Sequence, residues 1–363
     1  MNDLSAESLV YLLSCAVNGA VPDTGRVSAM DLRAVFDLAG RHMLRAAAAA
    51  ALASAGFRDP DFTEAYARAV RKAALLNTEL TSLERALNTA GISYLPLKGT
   101  VLQNDYPLFG LREMSDVDIL IDPERAGDVR EIMERRGFTV ESYGRDFHDV
   151  YHKPPVCSFE IHRTLFSPVY APVIRDYYSR IRERLLPGEG TALRMSDEDF
   201  YVYMVAHGYK HYSMGGTGLR SALDIYVYLK KHGSLDRGYI KGELEKLGLS
   251  EHEALIRALS LRLFGGETPD EDTDEMLRFL VDSGVYGRQD TKIANAVKER
   301  GAARYVLSRA FLPMFYVKKA YPWFYAHRAA LPLLPLYRLW LGLTRRRASF
   351  KSELTELLRR RKK

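Results

Sequence analysis

Residues 115–121, SDVDILI, decide how the chain is read. Two aspartates separated by one valine lead straight into an apolar run. In a strand, alternate side chains share a face, so Asp116 and Asp118 point one way while Val117 and Ile119 point the other. Outward from this stretch lie further short, β-rich segments divided by turn residues: ISYLPLK (92–98), FTVESYG (138–144), HDVYHK (148–153) and SFEIHR (158–163). PERAGDVREIMERRG (123–137) reads as a helix stopped by glycine, and HKPPVC (152–157) as a hairpin connection. The order is strand, short helix, strand, helix, strand, hairpin. This predicts an α+β fold whose core, about 75 residues with a small mixed β-sheet, is flanked by helical N-terminal and C-terminal regions.

The flanks follow the helical period. DLRAVFDLAGRHMLRAAAAAALASAG (31–56) has the alanine and leucine content of closely packed helices. DPDFTEAYARAVRKAALLNTELTSLERALNTAG (59–91) opens with Asp59 as N-cap and Pro60 at the first helical position, and predicts one long helix. MSDEDFYVYMVAHGYKHYS (195–213) begins a second helical region with Ser196 as N-cap, and GTGLRSALDIYVYLKKHG (216–233) continues it. The expected divisions are a helical region over 1–90, the α+β core over 91–190, a helical domain over 191–345 and a basic tail over 346–363. No internal repeat is visible.

At 363 residues and 47% hydrophobic content the chain is long and apolar enough to bury a substantial core. Its two cysteines, Cys15 and Cys157, have no partner pattern; neither a disulfide framework nor a zinc site is indicated, which points to a reducing, cytoplasmic setting. The formal charge of +6 is a property of the tail: residues 344–363 hold nine Lys or Arg against two Glu, leaving the rest near −1. Such a tail can touch RNA, an anionic lipid surface or nothing at all. The N-terminus carries acidic residues where a signal peptide needs basic ones and is read as the first helix of the fold. ALPLLPLYRLWLGL (330–343), interrupted by Pro332, Pro335 and Arg338, is too short and broken to span a bilayer. It either packs as an aromatic helix against the body or docks on a membrane surface.

The chemistry concentrates around the two aspartates. Carboxylates that converge repel unless a cation lies between them, and hard oxygen ligands suit Mg²⁺ or Mn²⁺. In SFEIHR, Glu160 and His162 share a face while Phe159 and Ile161 face the core; if this strand lies beside the first, Glu160 becomes a third carboxylate. Upstream, Lys98, Gly99 and Thr100 follow a strand and precede a helix start, where a glycine lets backbone approach a phosphate and free N–H groups favour an anion. A phosphate seat next to three carboxylates is the equipment of in-line phosphoryl or nucleotidyl transfer.

LPLKGT (95–100), REMSDVDILI (112–121) and FEIHR (159–163) resemble the nucleotidyltransferase superfamily with a polymerase-beta-like core. More narrowly, they resemble a bacterial group of largely uncharacterised nucleotidyltransferases, to which HGYKH (207–211) and LRSALDI (219–225) are also similar. The narrow resemblance covers roughly 30–345, the superfamily core only about 90–165. It implies transfer of a nucleoside monophosphate from an NTP such as ATP, with Asp116 and Asp118 holding two Mg²⁺ (or Mn²⁺) ions. Glu160 would complete the catalytic metal and help deprotonate the acceptor hydroxyl, and Gly99 and Thr100 would cradle the β- and γ-phosphates. Thr100 stands where serine is usual, and about sixteen residues separate Gly99 from Asp116, which is long for the pattern.

Other residues keep two readings. Arg112 meets a phosphate or acceptor, or forms an ion pair with Glu113 or Asp116; His162 touches substrate or buttresses Glu160. By the resemblance, Lys210 and Arg220 contact the triphosphate. The alternative is a core-facing or ion-paired role, with Asp224 one helical turn from Arg220. His207 and His211 have metal-ligand spacing but no third ligand, and His148 and His152 read as hydrogen-bonded histidines flanking a hairpin. Two rival functions are an Asp-x-Asp glycosyltransferase and a nucleotide-binding protein on a lapsed catalytic core. The acceptor, whether a small molecule, a tRNA end or a protein hydroxyl, is not written in the motifs.

Overall fold

The computed structural model describes residues 3–168, 170–266, 271–285, 314, 317 and 321–344. The basic tail over 346–363 lies outside the described residues. The chain divides into two compact units, Met1–Tyr209 with Leu219–Val281, and Lys210–Gly218 with Asp282–Lys363.

The first unit opens with helices α1 (Asp3–Asn18), α2 (Thr24–Ser28), α3 (Leu32–His42), α4 (Arg45–Ser54) and α5 (Pro60–Thr89). The alanine-rich stretch is two helices, broken where Met43 adopts a left-handed φ of 54°. The long helix starts where its capping residues predict: Asp59 accepts the Phe62 amide at 3.1 Å, and Pro60 occupies the first turn. Leu76, Leu80, Leu83 and Leu87 recur along one face of α5 and are buried against the sheet.

The sheet contains β1 (Tyr94–Pro96), β2 (Val117–Ile121), β3 (Thr139–Ser142), β4 (His148–Lys153) and β5 (Cys157–His162). Helix α6 (Gly99–Leu102) follows β1, and α7 (Ala126–Arg135) lies between β2 and β3. The spatial order is β1-β2-β5-β4-β3, with β2 and β5 parallel and every other pair antiparallel. The architecture is therefore α+β around a mixed sheet, as the segment order predicts. Val117, Ile119 and Ile121 of β2 and Phe159 and Ile161 of β5 face the α5 stripe and Val129, Ile132 and Met133 of α7. Each such side chain contributes about 1.5–3 kcal/mol on burial. The same alternation sends Asp118, Glu160 and His162 to the opposite face.

Beyond the sheet come α8 (Pro172–Ser179), a hairpin of β6 (Leu186–Pro187) and β7 (Leu193–Arg194), α9 (Asp197–Ser213), α10 (Gly218–Lys231), α11 (Arg237–Leu247), α12 (Ser250–Gly265) and α13 (Glu271–Ser283). The hydroxyl of Ser196 caps α9 by accepting the Asp199 amide at 3.0 Å. In the second unit, described helical segments run over Pro322–Ala326 and Leu334–Thr344, and Trp323, Leu336 and Trp340 are exposed. Among the described residues no helix is long and apolar enough to cross a membrane.

Candidate active site

Parallel pairing of β2 with β5 sets Asp118 directly opposite Glu160, and Leu120 opposite His162. The pairing on which a third carboxylate depended is thus present. Asp116 arrives differently from the sequence pattern. The strand begins at Val117, one residue after Asp116, so strand alternation does not orient that side chain. The preceding turn is pinned from α5, where Lys72 Nζ donates to the Ser115 carbonyl at 2.9 Å, and the Ser115 hydroxyl donates to Asp116 Oδ1 at 2.8 Å.

Lys98 stands at the end of β1 with φ 49° and ψ −124°, a conformation rarely held by a residue with a Cβ. Its Nζ lies 2.6 Å from Asp118 Oδ1 and 4.0 Å from Glu160 Oε2. His162 Nε2 approaches the same two carboxylates, at 2.8 Å from Asp118 Oδ1 and 3.4 Å from Glu160 Oε2. Burial works against the ionised form of Asp118, but the Lys98 ammonium and the His162 hydrogen bond outweigh it and hold the carboxyl well below its usual range. Burial likewise opposes the Lys98 charge, and Asp118, Tyr203 and Glu160 together hold it above the ordinary lysine range. Glu160 is also held down: burial and Asp118 raise it, and the His162 hydrogen bond with the charges of Lys98 and His148 together outweigh them. Asp116 is the exception. Burial, then Asp118, then Glu160 push it up, and its bond from Ser115 does not compensate. Three carboxylates face one ammonium, so the cluster carries negative charge in excess of its resident cation.

The Lys98–Thr100 turn is built from inside. The Thr100 amide donates to Leu97 O at 3.1 Å, and the Val101 and Leu102 amides to Lys98 O, so these N–H groups serve the turn itself. The Thr100 hydroxyl is buried and has no hydrogen-bond partner among the described residues. Gly99 makes room for a side chain: a Cβ there would fall onto Arg112 Nη1 and lie 3.0 Å from Met114 Sδ. Arg112 itself pairs with neither Glu113 nor Asp116. Its Nε and Nη2 grip Asp224 of α10 at 2.9 Å each, a buried bidentate pair that Tyr106 joins through a 2.7 Å hydroxyl contact to Asp224 Oδ1. Asp224 is thus spent on Arg112 rather than on Arg220. Among the described residues Arg220 Nη1 meets the Glu113 carbonyl and Met43 Sδ, each at 3.2 Å, and burial followed by repulsion from Arg112 pushes its pKa down.

Of the residues singled out in the sequence, Lys98, Asp116, Asp118, Glu160 and His162 come together on the sheet face. Gly99, Thr100, Arg112 and Arg220 form the adjoining layer. Lys210 falls in the second unit and is placed only within it. Two further residues join the site: His148, which the sequence reads as a hydrogen-bonded hairpin histidine, and Tyr203, which the sequence does not single out. His148 lies on β4 opposite His162, with Nε2 3.9 Å from Glu160 Oε1, and burial lowers its pKa. Counting pairs outward from the hairpin at 154–156 brings 148 to 162, so that signal was available. Tyr203 lies in the helical segment 195–213; its hydroxyl is buried, without a hydrogen-bond partner among the described residues, in electrostatic reach of Lys98, Asp118 and Glu160. No local pattern reveals that.

Against known families, residues 28–265, about two thirds of the chain, match the model of a family described as uncharacterised nucleotidyltransferase, and the chain belongs to that family. It is accordingly a nucleotidyltransferase, a transferase of phosphorus-containing groups. No curated protein and no solved structure matches it.

Proposed function

We propose that the chain transfers a nucleoside monophosphate from an NTP, with ATP as the first candidate, to an acceptor hydroxyl and releases pyrophosphate. The observation that carries this reading is the register of β2 and β5, which sets Asp118 against Glu160 beside Asp116 and the Lys98–Thr100 turn. The excess negative charge of the cluster and its oxygen donors fit hard divalent cations. Asp116, Asp118 and Glu160 would hold two Mg²⁺ or Mn²⁺ ions, which when bound supply Lewis-acid stabilisation of the charge on the triphosphate and the attacking oxygen.

The remaining work belongs to the chain. Glu160, kept ionised by His162, Lys98 and His148 together, accepts the proton of the acceptor hydroxyl as its oxygen bonds to the α-phosphorus. The bond from the α-phosphorus to the bridging oxygen breaks, and pyrophosphate leaves with the electron pair. Lys98 and Arg220 face the triphosphate charge; Arg220 suits this because, among the described residues, its part-buried guanidinium donates to a carbonyl and a thioether and to no carboxylate. The Thr100 hydroxyl, buried and unpartnered, offers a donor to a phosphate oxygen. Arg112, locked to Asp224, holds the glycine turn from behind.

A second reading, a nucleotide-binding protein without turnover, is favoured by one observation: Lys98 already neutralises Asp118 at 2.6 Å. Incubation with each labelled NTP, Mg²⁺ or Mn²⁺ and a lysate separates the two. Release of pyrophosphate with label moved to RNA, protein or a small molecule supports transfer; NTP binding without release supports the alternative.

A further inference from the structure

His148, Glu160 and His162 each offer one ligand atom, and these atoms lie within 4.8 Å of one another. Two separations, 3.4 Å from His162 Nε2 to Glu160 Oε2 and 3.9 Å from His148 Nε2 to Glu160 Oε1, are near the roughly 3.4 Å between two ligands placed about 2.1 Å from one tetrahedral ion. The three side chains come from adjacent strands, with His148 paired to His162 in register and the imidazole centroids 5.1 Å apart. Strand-borne ligands hold their spacing better than loop-borne ones. His162 Nε2 donates to the Asp118 carboxylate at 2.8 Å, and both Nδ1 atoms are buried and, among the described residues, without partners, so a shift of the proton from Nε2 to Nδ1 breaks no bond on the far side and frees the Nε2 lone pair for an ion.

The charge around the trio favours a dication as well. Asp118 absorbs the nearest competing cation, Lys98, at 2.6 Å, while Lys98 stays 4.0 Å from Glu160. Asp116 remains in excess. Two imidazoles and one carboxylate form a donor set unlike the oxygen-only set of Asp116 and Asp118. Imidazole nitrogen suits zinc, cobalt and similar first-row ions, whereas Mg²⁺ prefers oxygen and water.

We propose that His148, Glu160 and His162 form a seat for a first-row transition-metal dication of the Zn²⁺ or Co²⁺ type, distinct in ligands from the acid pair Asp116 and Asp118 and sharing Glu160 with it. The seat does not depend on the transfer reaction, because binding is read with the metal alone and no nucleotide.

Titration of the full chain with Co²⁺, followed by visible absorption, is the test. The wild type is expected to develop ligand-field bands that Zn²⁺ displaces. His148→Gln should weaken Co²⁺ binding at least tenfold, whereas Asp116→Asn should leave it within about threefold. No bands in the wild type, or loss in Asp116→Asn with retention in His148→Gln, would overturn the proposal. Should His148→Gln fail to fold, pulsed electron paramagnetic resonance of the wild type with Cu²⁺ decides: ¹⁴N modulation from coordinated imidazole supports the seat, and its absence refutes it.

Discussion

Replacing Asp224 with alanine removes the carboxylate paired with Arg112, whose guanidinium is buried and makes two 2.9 Å bonds to it. Breaking a buried pair by deleting one partner costs about 3–5 kcal/mol, because the other charge is left uncompensated. The cost here is asymmetric. Without Asp224, Arg112 and Arg220 are left together, and Arg112 already pushes the Arg220 pKa down. Without Arg112, Asp224 keeps the Tyr106 hydroxyl at 2.7 Å and gains sole use of Arg220. Asp224→Ala should therefore lose about 3–5 kcal/mol and Arg112→Met at least about 1 kcal/mol less. Urea unfolding, followed by circular dichroism with midpoints and slopes compared among wild type and both variants, measures the difference. A loss below about 1 kcal/mol in Asp224→Ala, or an Arg112→Met variant that is the less stable of the two, would refute the reasoning.

Three further outcomes follow from single positions. Gly99→Ala drives a methyl group onto the buried Arg112 guanidinium and should cost about 1–3 kcal/mol while raising KM for the NTP; a variant with unchanged unfolding midpoint would show that the turn has room to spare. His42, fully buried with Nδ1 accepting the Leu219 amide at 3.1 Å, has its pKa lowered to about 4 by burial and then by Arg41. Its folded value lies below its unfolded one, so its contribution is complete above pH about 6.5, falls as pH drops towards 4 and is flat below. The total, about 3 kcal/mol, should appear as a stability slope that His42→Gln flattens. Asp59→Ala deletes the cap of α5 and should cost about 1 kcal/mol, again read from the unfolding midpoint.

Much of this was visible in the chain itself, and the limits are physical. SDVDILI and SFEIHR announced two strands with acids on one face, since strand period and β-branched content are local properties. Asp59-Pro60 announced the start of the 30-residue helix. What stayed hidden depends on contacts far apart in sequence. Arg112 finds Asp224 across 112 positions, and the space above Gly99 is filled by that same arginine. Asp116 reads as a strand residue by pattern, yet β2 begins only at Val117, and the carbonyl of Ser115 before it is taken by Lys72 of α5. Lys98 could be placed near phosphate by its glycine neighbour, but its 2.6 Å pairing with Asp118 follows from the antiparallel β1–β2 register.

The central claim is that Asp116, Asp118 and Glu160 act as one acid cluster in nucleotidyl transfer. Pyrophosphate release from each NTP, measured with Mg²⁺ or Mn²⁺ in wild type and in Asp116→Asn, Asp118→Asn and Glu160→Gln, tests it most directly. Loss of at least about a hundredfold in each variant, with NTP binding retained in at least one, is the predicted result. Turnover that persists at wild-type levels in the three variants would contradict the account.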